Sequence, residues 1–242
     1  MKIQDIKCFR LRAKVDDVRG GGSGWVTSRS ALFVKVTTDD GLVGWGEAGQ
    51  TGSTLITKHL IEQIIAPIYR GENPFDPEVL WERAYLQTRD YGQKGQVIGA
   101  ISGLDVACYD LMGKATGQPV HRLIGGRQRD RVPAYATGLW YRRENDSVKA
   151  LVGDALEYKR QGFKAMKVKV GFGSIAYDVA RVKGMREALG EDIDIMLDAN
   201  HSLNVATAIE LGRRLEEYNI GWFEEPTIPE DIEGYVHIRN ML

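Results

Sequence analysis

The sequence predicts an α/β protein in which a mixed region of strands and helices precedes a parallel sheet. Two observations support this. From about residue 131, strand-like runs at 132–137 (VPAYAT), 164–170 (KAMKVKV), 193–198 (IDIMLD) and 220–224 (IGWFE) alternate with amphipathic stretches at 146–161, 176–189 and 204–218. Such alternation marks βα units around a parallel sheet. Before it, three strand patterns and then a run of helical patterns occupy residues 2–116. The 242 residues suffice for one large domain or two modest ones, each with a real core.

In chain order, residues 2–12 alternate Ile3, Ile6 and Phe9 with charged neighbours, and residues 30–37 (SALFVKVT) are rich in β-branched and apolar side chains. Asp40-Gly41 then turns the chain into LVGWGEA, a strong hairpin signal. The intervening VDDVRGGGSGWVTSR reads as a glycine-rich flexible loop around Trp25. Residues 53–69 place Leu55, Ile56, Leu60, Ile61, Ile64, Ile65 and Ile68 at helical spacing. Asp76-Pro77 is an N-cap followed by proline, which starts a second helix. A third, over 94–116, has a stripe of Gly99, Ala100, Gly103 and Ala107 suited to close packing, and Gly117 ends it. The later alternation fits either an open doubly wound sheet or part of a (βα)8 barrel.

Composition narrows the function classes. Lys and Arg total 32 against 33 Asp and Glu, a balance that argues against a broad nucleic-acid surface or a polybasic membrane patch. No apolar run approaches the ~18 residues of a membrane helix, and the N-terminus has no signal-like apolar block. Cys8 and Cys108 are far apart, so neither a disulfide framework nor a cysteine metal site is expected. These features predict a cytoplasmic protein with reduced thiols.

The chemistry gathers at strand ends. Lys167 and Lys169 are two apart on one strand and share a face, while Met166, Val168 and Val170 take the other. Two lysines turned together into a sheet interior should repel, and burial should lower their pKa values further, giving a base usable near neutral pH. The next strand ends in Asp198-Ala-Asn200-His201, and the one after in Glu224-Glu225-Pro226. Carboxylates at the carboxyl ends of successive parallel strands converge on one pocket, and such oxygen donors suit Mg2+. Asp198 or Asn200 as helix caps, and Glu225-Pro226 as a plain turn, are the structural alternatives. A competing signal is Gly171-Phe-Gly173-Ser-Ile-Ala176, the G-x-G-x-x-A form of a dinucleotide fingerprint. It would make the protein a nicotinamide oxidoreductase. Lysines precede it where apolar residues belong, and Asp198 comes 27 residues after Gly171 rather than ~20.

DDGLVGWGEA, AISGLDVACYDLMGK, PVHRLIGG, VPAYATG, KVKVGFG, LDANHSL and GWFEEP together resemble the mandelate racemase/muconate lactonizing enzyme family of the enolase superfamily, across essentially the whole chain. D-galactarolactone cycloisomerase-type members and acid-sugar dehydratases look most alike. The resemblance implies an α+β capping domain over 1–130, then a (βα)8-type barrel from 131 of which residues 131–242 form about the first half. It implies Lys169 as base and Lys167 beside the substrate carboxylate. Asp198 and Glu224 would be Mg2+ ligands, and Asn200 a contact to substrate or the metal's surroundings. The third ligand and the opposite acid/base are expected beyond Leu242. The implied reaction removes a proton α to the carboxylate of a sugar acid or its lactone, leading to cycloisomerisation, dehydration or racemisation. Trp25 and the loop near 50–53 become candidate substrate contacts, and a homo-oligomer is expected. A non-catalytic half-barrel that works only by association is the remaining alternative, because a half barrel leaves two sheet edges open.

Overall fold

The computed structural model describes residues 1–49 and 52–242. Alternating residues form two long neighbouring strands, β1 (Ile3–Gly21) and β2 (Gly24–Thr38), joined through Gly22-Ser23. The Asp40-Gly41 turn leads into β3 (Val43–Ala48), antiparallel to β2 with Lys35 opposite Trp45. The expected loop at 15–29 is therefore mostly strand. Its glycine content suggested flexibility, but the segment forms the two arms of the β1–β2 hairpin, and Arg19 and Gly20 pair in addition with residues 141–142 far along the chain.

The chain divides into two units. One comprises Met1–Lys14 with Ser28–Asp130, the other Val15–Thr27 with Arg131–Leu242. In the first unit, α1 (Thr54–His59), a π-helical segment (Leu60–Ile65) and α2 (Ala66–Tyr69) realise the predicted helix at 53–69. The helix α3 (Pro77–Thr88) starts at the expected proline, although the Asp76 side chain makes no capping hydrogen bond. The long α4 (Gln96–Thr116) ends at left-handed Gly117. Its small-residue stripe lets it lie almost on β3. A Cβ on Gly46 would sit 2.0 Å from the Gly103 carbonyl oxygen, and one on Gly44 would sit 2.4 Å from that of Ala107. Leu32, Val34, Val36, Ile61, Ile65, Leu104 and Leu111 fill this core. A short α5 (Val120–Leu123) follows, four residues that periodicity cannot reveal.

The second unit is built on a parallel sheet in the order β4 (Ala136–Leu139), β6 (Ala165–Lys169), β7 (Asp194–Asp198), β8 (Ile220–Glu224). Between and after these strands run α6 (Val148–Arg160), α7 (Ile175–Leu189), α8 (Val205–Leu215) and α9 (Ile232–Met241). Their starts are written in the sequence. Ser147, Ser174, Asn204 and Asp231 each accept from the backbone N–H three residues on, satisfying one free donor of the first turn. The strand expected at 132–137 begins four residues later, at Ala136, and residues 131–135 are exposed. Pro133, which has no N–H to give a ladder, lies in the excluded stretch.

The alternation of KAMKVKV sorts β6 as predicted. Met166 and Val168 pack into a core with Ile195, Leu197, Val182, Met185 and Leu211, and the lysines take the opposite face. The far end of the β1–β2 hairpin belongs to this unit. It pairs antiparallel with β5 (Tyr141–Arg142), Arg19 opposite Arg142 and Gly20 opposite Tyr141. Arg19 also donates to the Gly138 carbonyl at 3.1 Å, and Arg142 binds both Asp154 oxygens at 2.7 Å. Among the described residues no helix is long and apolar enough to cross a membrane.

Candidate active site

Register places the polar cluster. Lys169 of β6 pairs with Asp198 of β7, and Asp198 pairs with Glu224 of β8. Residues level across parallel strands share a face, so three strand ends present a lysine, an aspartate and a glutamate side by side. Lys167 lies two residues back on the same face. Its ammonium is 2.9 Å from both Glu224 oxygens and 3.1 Å from Asp198 Oδ2. The Lys169 ammonium donates to Asp198 Oδ2 at 2.6 Å and to Asn200 Oδ1 at 2.7 Å. Five of the expected site residues, Lys167, Lys169, Asp198, Asn200 and Glu224, thus form one network.

The electrostatics correct one expectation. Burial alone would lower the Lys167 pKa, but hydrogen bonds and charges from Glu224 and Asp198 outweigh it, and the net displacement is upward. Mutual repulsion of the lysines does not prevail, because carboxylates stand between them. Burial would likewise raise the Asp198 carboxyl, yet hydrogen bonds and charges from Lys169 and Lys167 hold it below the usual aspartate value.

The loops that follow β7 and β8 are zipped together. Ala199 donates its N–H to the Glu224 carbonyl at 3.0 Å, and His201 to that of Glu225 at 2.8 Å. Asn200, His201 and Glu225 all adopt left-handed backbone, with φ of 46°, 61° and 47°. Asparagine tolerates this readily; histidine and glutamate do so at a cost, and such outliers cluster at functional sites. Glu225 Oε2 accepts from Asn200 Nδ2 at 3.1 Å and lies 3.3 Å from His201 Nε2. Sequence reasoning missed Glu225 and His201 as site components. Each follows a residue of obvious chemistry, and the backbone turn that brings them inward has no strong sequence signal outside glycine.

Trp25 does not join this network. It is 41% exposed and meets Phe172 edge to face, ring centroids 5.0 Å apart. Nearer the lysines in the same hairpin are its glycines. A Cβ on Gly21 would touch the Lys169 stem at 3.4 Å, and one on Gly22 would collide with the Ala199 carbonyl oxygen at 2.2 Å. Of the loop near 50–53, residues 50 and 51 lie outside the described residues.

The dinucleotide reading of Gly171–Ala176 gains no support. The Gly171 N–H, which a phosphate would need, is donated to Asp178 Oδ2 at 2.7 Å. A Cβ on Gly171 would meet Ser202 Oγ at 2.4 Å, so this glycine serves packing.

Asp198 and Glu224 fit a magnesium ion in donor chemistry: hard carboxylate oxygens from adjacent strands, already converging on one cation, the Lys167 ammonium. Among the described residues no group of three His, Cys, Asp or Glu side chains gathers as a metal cluster.

Comparison with known proteins decides the family. The mandelate racemase/muconate lactonizing enzyme N-terminal domain matches residues 22–125, and the enolase C-terminal domain-like family matches 150–242. The chain belongs to the mandelate racemase/muconate lactonizing enzyme family of the enolase superfamily. Its relatives include D-galactarolactone cycloisomerase of Agrobacterium fabrum, 36% identical over 99% of this chain and 62% of that protein. Arabinonate dehydratase of Saccharolobus solfataricus is 40% identical over 81% of this chain and 52% of its own length. Among solved structures, the dipeptide epimerase of Enterococcus faecalis, complexed with Mg and L-Leu-L-Tyr, superposes with TM-score 0.88. It is 30% identical and covers all of this chain, which spans 66% of it. The chain spans about half to two thirds of these relatives' lengths. Neither the oxidoreductase nor the purely associative alternative finds support among them.

Proposed function

We propose that the protein removes a proton α to the carboxylate of a sugar acid or its lactone, with cycloisomerisation or dehydration as the outcome. The observation that supports this best is the level row of Lys169, Asp198 and Glu224 on three adjacent strand ends, with Lys167 beneath it. The named relatives, a lactone cycloisomerase and a sugar-acid dehydratase, support the substrate class.

An α-proton next to a carboxylate is very weakly acidic, because its loss adds a second negative charge to the same group. The site must meet that charge with fixed positive charge. Asp198 and Glu224 would hold Mg2+, which when bound supplies electrostatic stabilisation to the developing enediolate. Lys169 in its neutral amine form takes the proton on its Nζ lone pair; Asp198 and Asn200, placed to accept from Nζ, then hold the ammonium so formed without rearrangement. Lys167 sits beside both carboxylates and brings a second cation toward the substrate carboxylate.

The test is α-proton exchange. Galactarolactone, galactarate and arabinonate are incubated with the complete protein and Mg2+ in D2O and followed by 1H NMR. Loss of the α-proton signal from at least one supports the reading, and silence across a broad sugar-acid set overturns it.

A further inference from the structure

We infer that Glu225 is a positioning residue for the lysine base, acting through the side-chain amide of Asn200. The inference rests on the reading of Lys169 as that base. An asparagine amide can face either way, and its surroundings choose. Here the oxygen faces the Lys169 ammonium at 2.7 Å and the nitrogen faces Glu225 Oε2 at 3.1 Å. Reversing the amide would set its N–H donors against an ammonium and its oxygen against a carboxylate, so both contacts would become repulsive. Without the Glu225 acceptor, one of the two reasons for the observed orientation is gone. Lys169 would then keep Asp198 but lose a reliable second acceptor.

The backbone is arranged to keep Glu225 in this place. Its left-handed φ of 47° turns the residue after Glu224 toward the neighbouring loop, and the His201 N–H clamps its carbonyl at 2.8 Å. The His201 ring also meets this oxygen, its Nε2 3.3 Å from Glu225 Oε2. The chain of contacts runs His201, Glu225, Asn200, Lys169, four residues from three strand ends. Glu224 and Glu225 thus divide the work: the first faces Lys167, and the second orders the partner of Lys169.

The test reads the lysine directly. The complete protein is pulse-acetylated with acetic anhydride, and Lys167 and Lys169 are quantified separately by peptide mass spectrometry. Glu225→Ala is expected to raise Lys169 acetylation about three- to tenfold, the range set by losing one charge-assisted hydrogen bond, with Lys167 unchanged. Glu225→Gln, whose amide oxygen can still accept from Asn200, should stay near wild type. Should Glu225→Ala fail to fold, Glu225→Leu gives the same reading while keeping bulk. Unchanged Lys169 labelling, or an equal rise at both lysines, overturns the proposal. The measurement needs no turnover, so failure of proton exchange and failure of the positioning role are seen separately.

Discussion

The Lys167 ammonium lies 2.9 Å from each carboxylate oxygen of Glu224, reaching it from β6 across the intervening strand β7. Asp198, on that intervening strand, is 3.1 Å away. Lys167 therefore stands between two strand-end acids that would otherwise repel, while Lys169 faces Asp198 at 2.6 Å. Lys167→Met should destabilise the protein by about 2 kcal/mol, less than a fully buried pair because the Glu224 side chain is 34% exposed. Millimolar Mg2+ should restore part of the loss. Urea denaturation with Mg2+ and with chelator checks both, and a variant as stable as wild type in chelator would contradict the counter-ion role.

Asp198→Asn removes one of the two converging carboxylate charges. Mg2+ affinity should fall by at least about tenfold, the loss of one strong charge contact. Calorimetric titration decides it; an unaltered Kd would remove Asp198 from the ligand set.

Lys169→Met should slow α-proton exchange by about 10²- to 10⁴-fold and leave Mg2+ affinity within a few-fold of wild type. Exchange at the wild-type rate would mean that another group is the base.

Asp178 is buried beneath the loop after β6, where it is hydrogen-bonded to the Tyr141 hydroxyl and the Gly171 N–H. Burial raises its pKa above the ordinary 3.8, more than these hydrogen bonds and Arg181 lower it. The folded state then holds this proton more tightly than the unfolded state. Its contribution to stability is therefore greatest below pH 3.8 and declines as pH rises through the raised value. Asp178→Asn should abolish that declining component, and denaturation midpoints across mildly acidic pH measure it. An identical pH profile in the variant would refute the assignment.

In the first unit, Gly46→Ala should cost about 1–3 kcal/mol, because its Cβ would stand 2.0 Å from the Gly103 carbonyl oxygen and α4 would have to withdraw. Gly41→Ala is the control for added bulk alone, since nothing lies within 4 Å of its Cβ and only its φ of +86° resists. If Gly46→Ala matches wild type in thermal unfolding, the close approach of α4 is wrong.

What the sequence made legible follows from the range of each interaction. Lys167, Lys169, Asp198 and Glu224 were readable because strand periodicity and strand ends are local properties, and parallel register then aligns them. The pKa direction of Lys167 was not readable, since it depends on Glu224, 57 residues away. Glycines 20–22 read as a loop, whereas each is small because something lies against it: Trp25, the Lys169 stem and the Ala199 carbonyl oxygen. Glu225 escaped notice because its role runs through the orientation of another residue's amide.

The pairing of Arg19 with Arg142 also has a consequence for the order in which the chain can fold. The lysine-bearing sheet draws one of its bordering pieces from residues synthesised more than a hundred positions earlier. During translation that hairpin tip must wait, its glycines and Trp25 open to solvent, until Tyr141, Lys169 and Ala199 have emerged. Closing so long a loop is an entropic step that local helix formation does not face. The wall against the Lys169 stem is thus assembled from segments far apart in the chain, and its cohesion depends on a closure that neighbouring strands of the parallel sheet do not require.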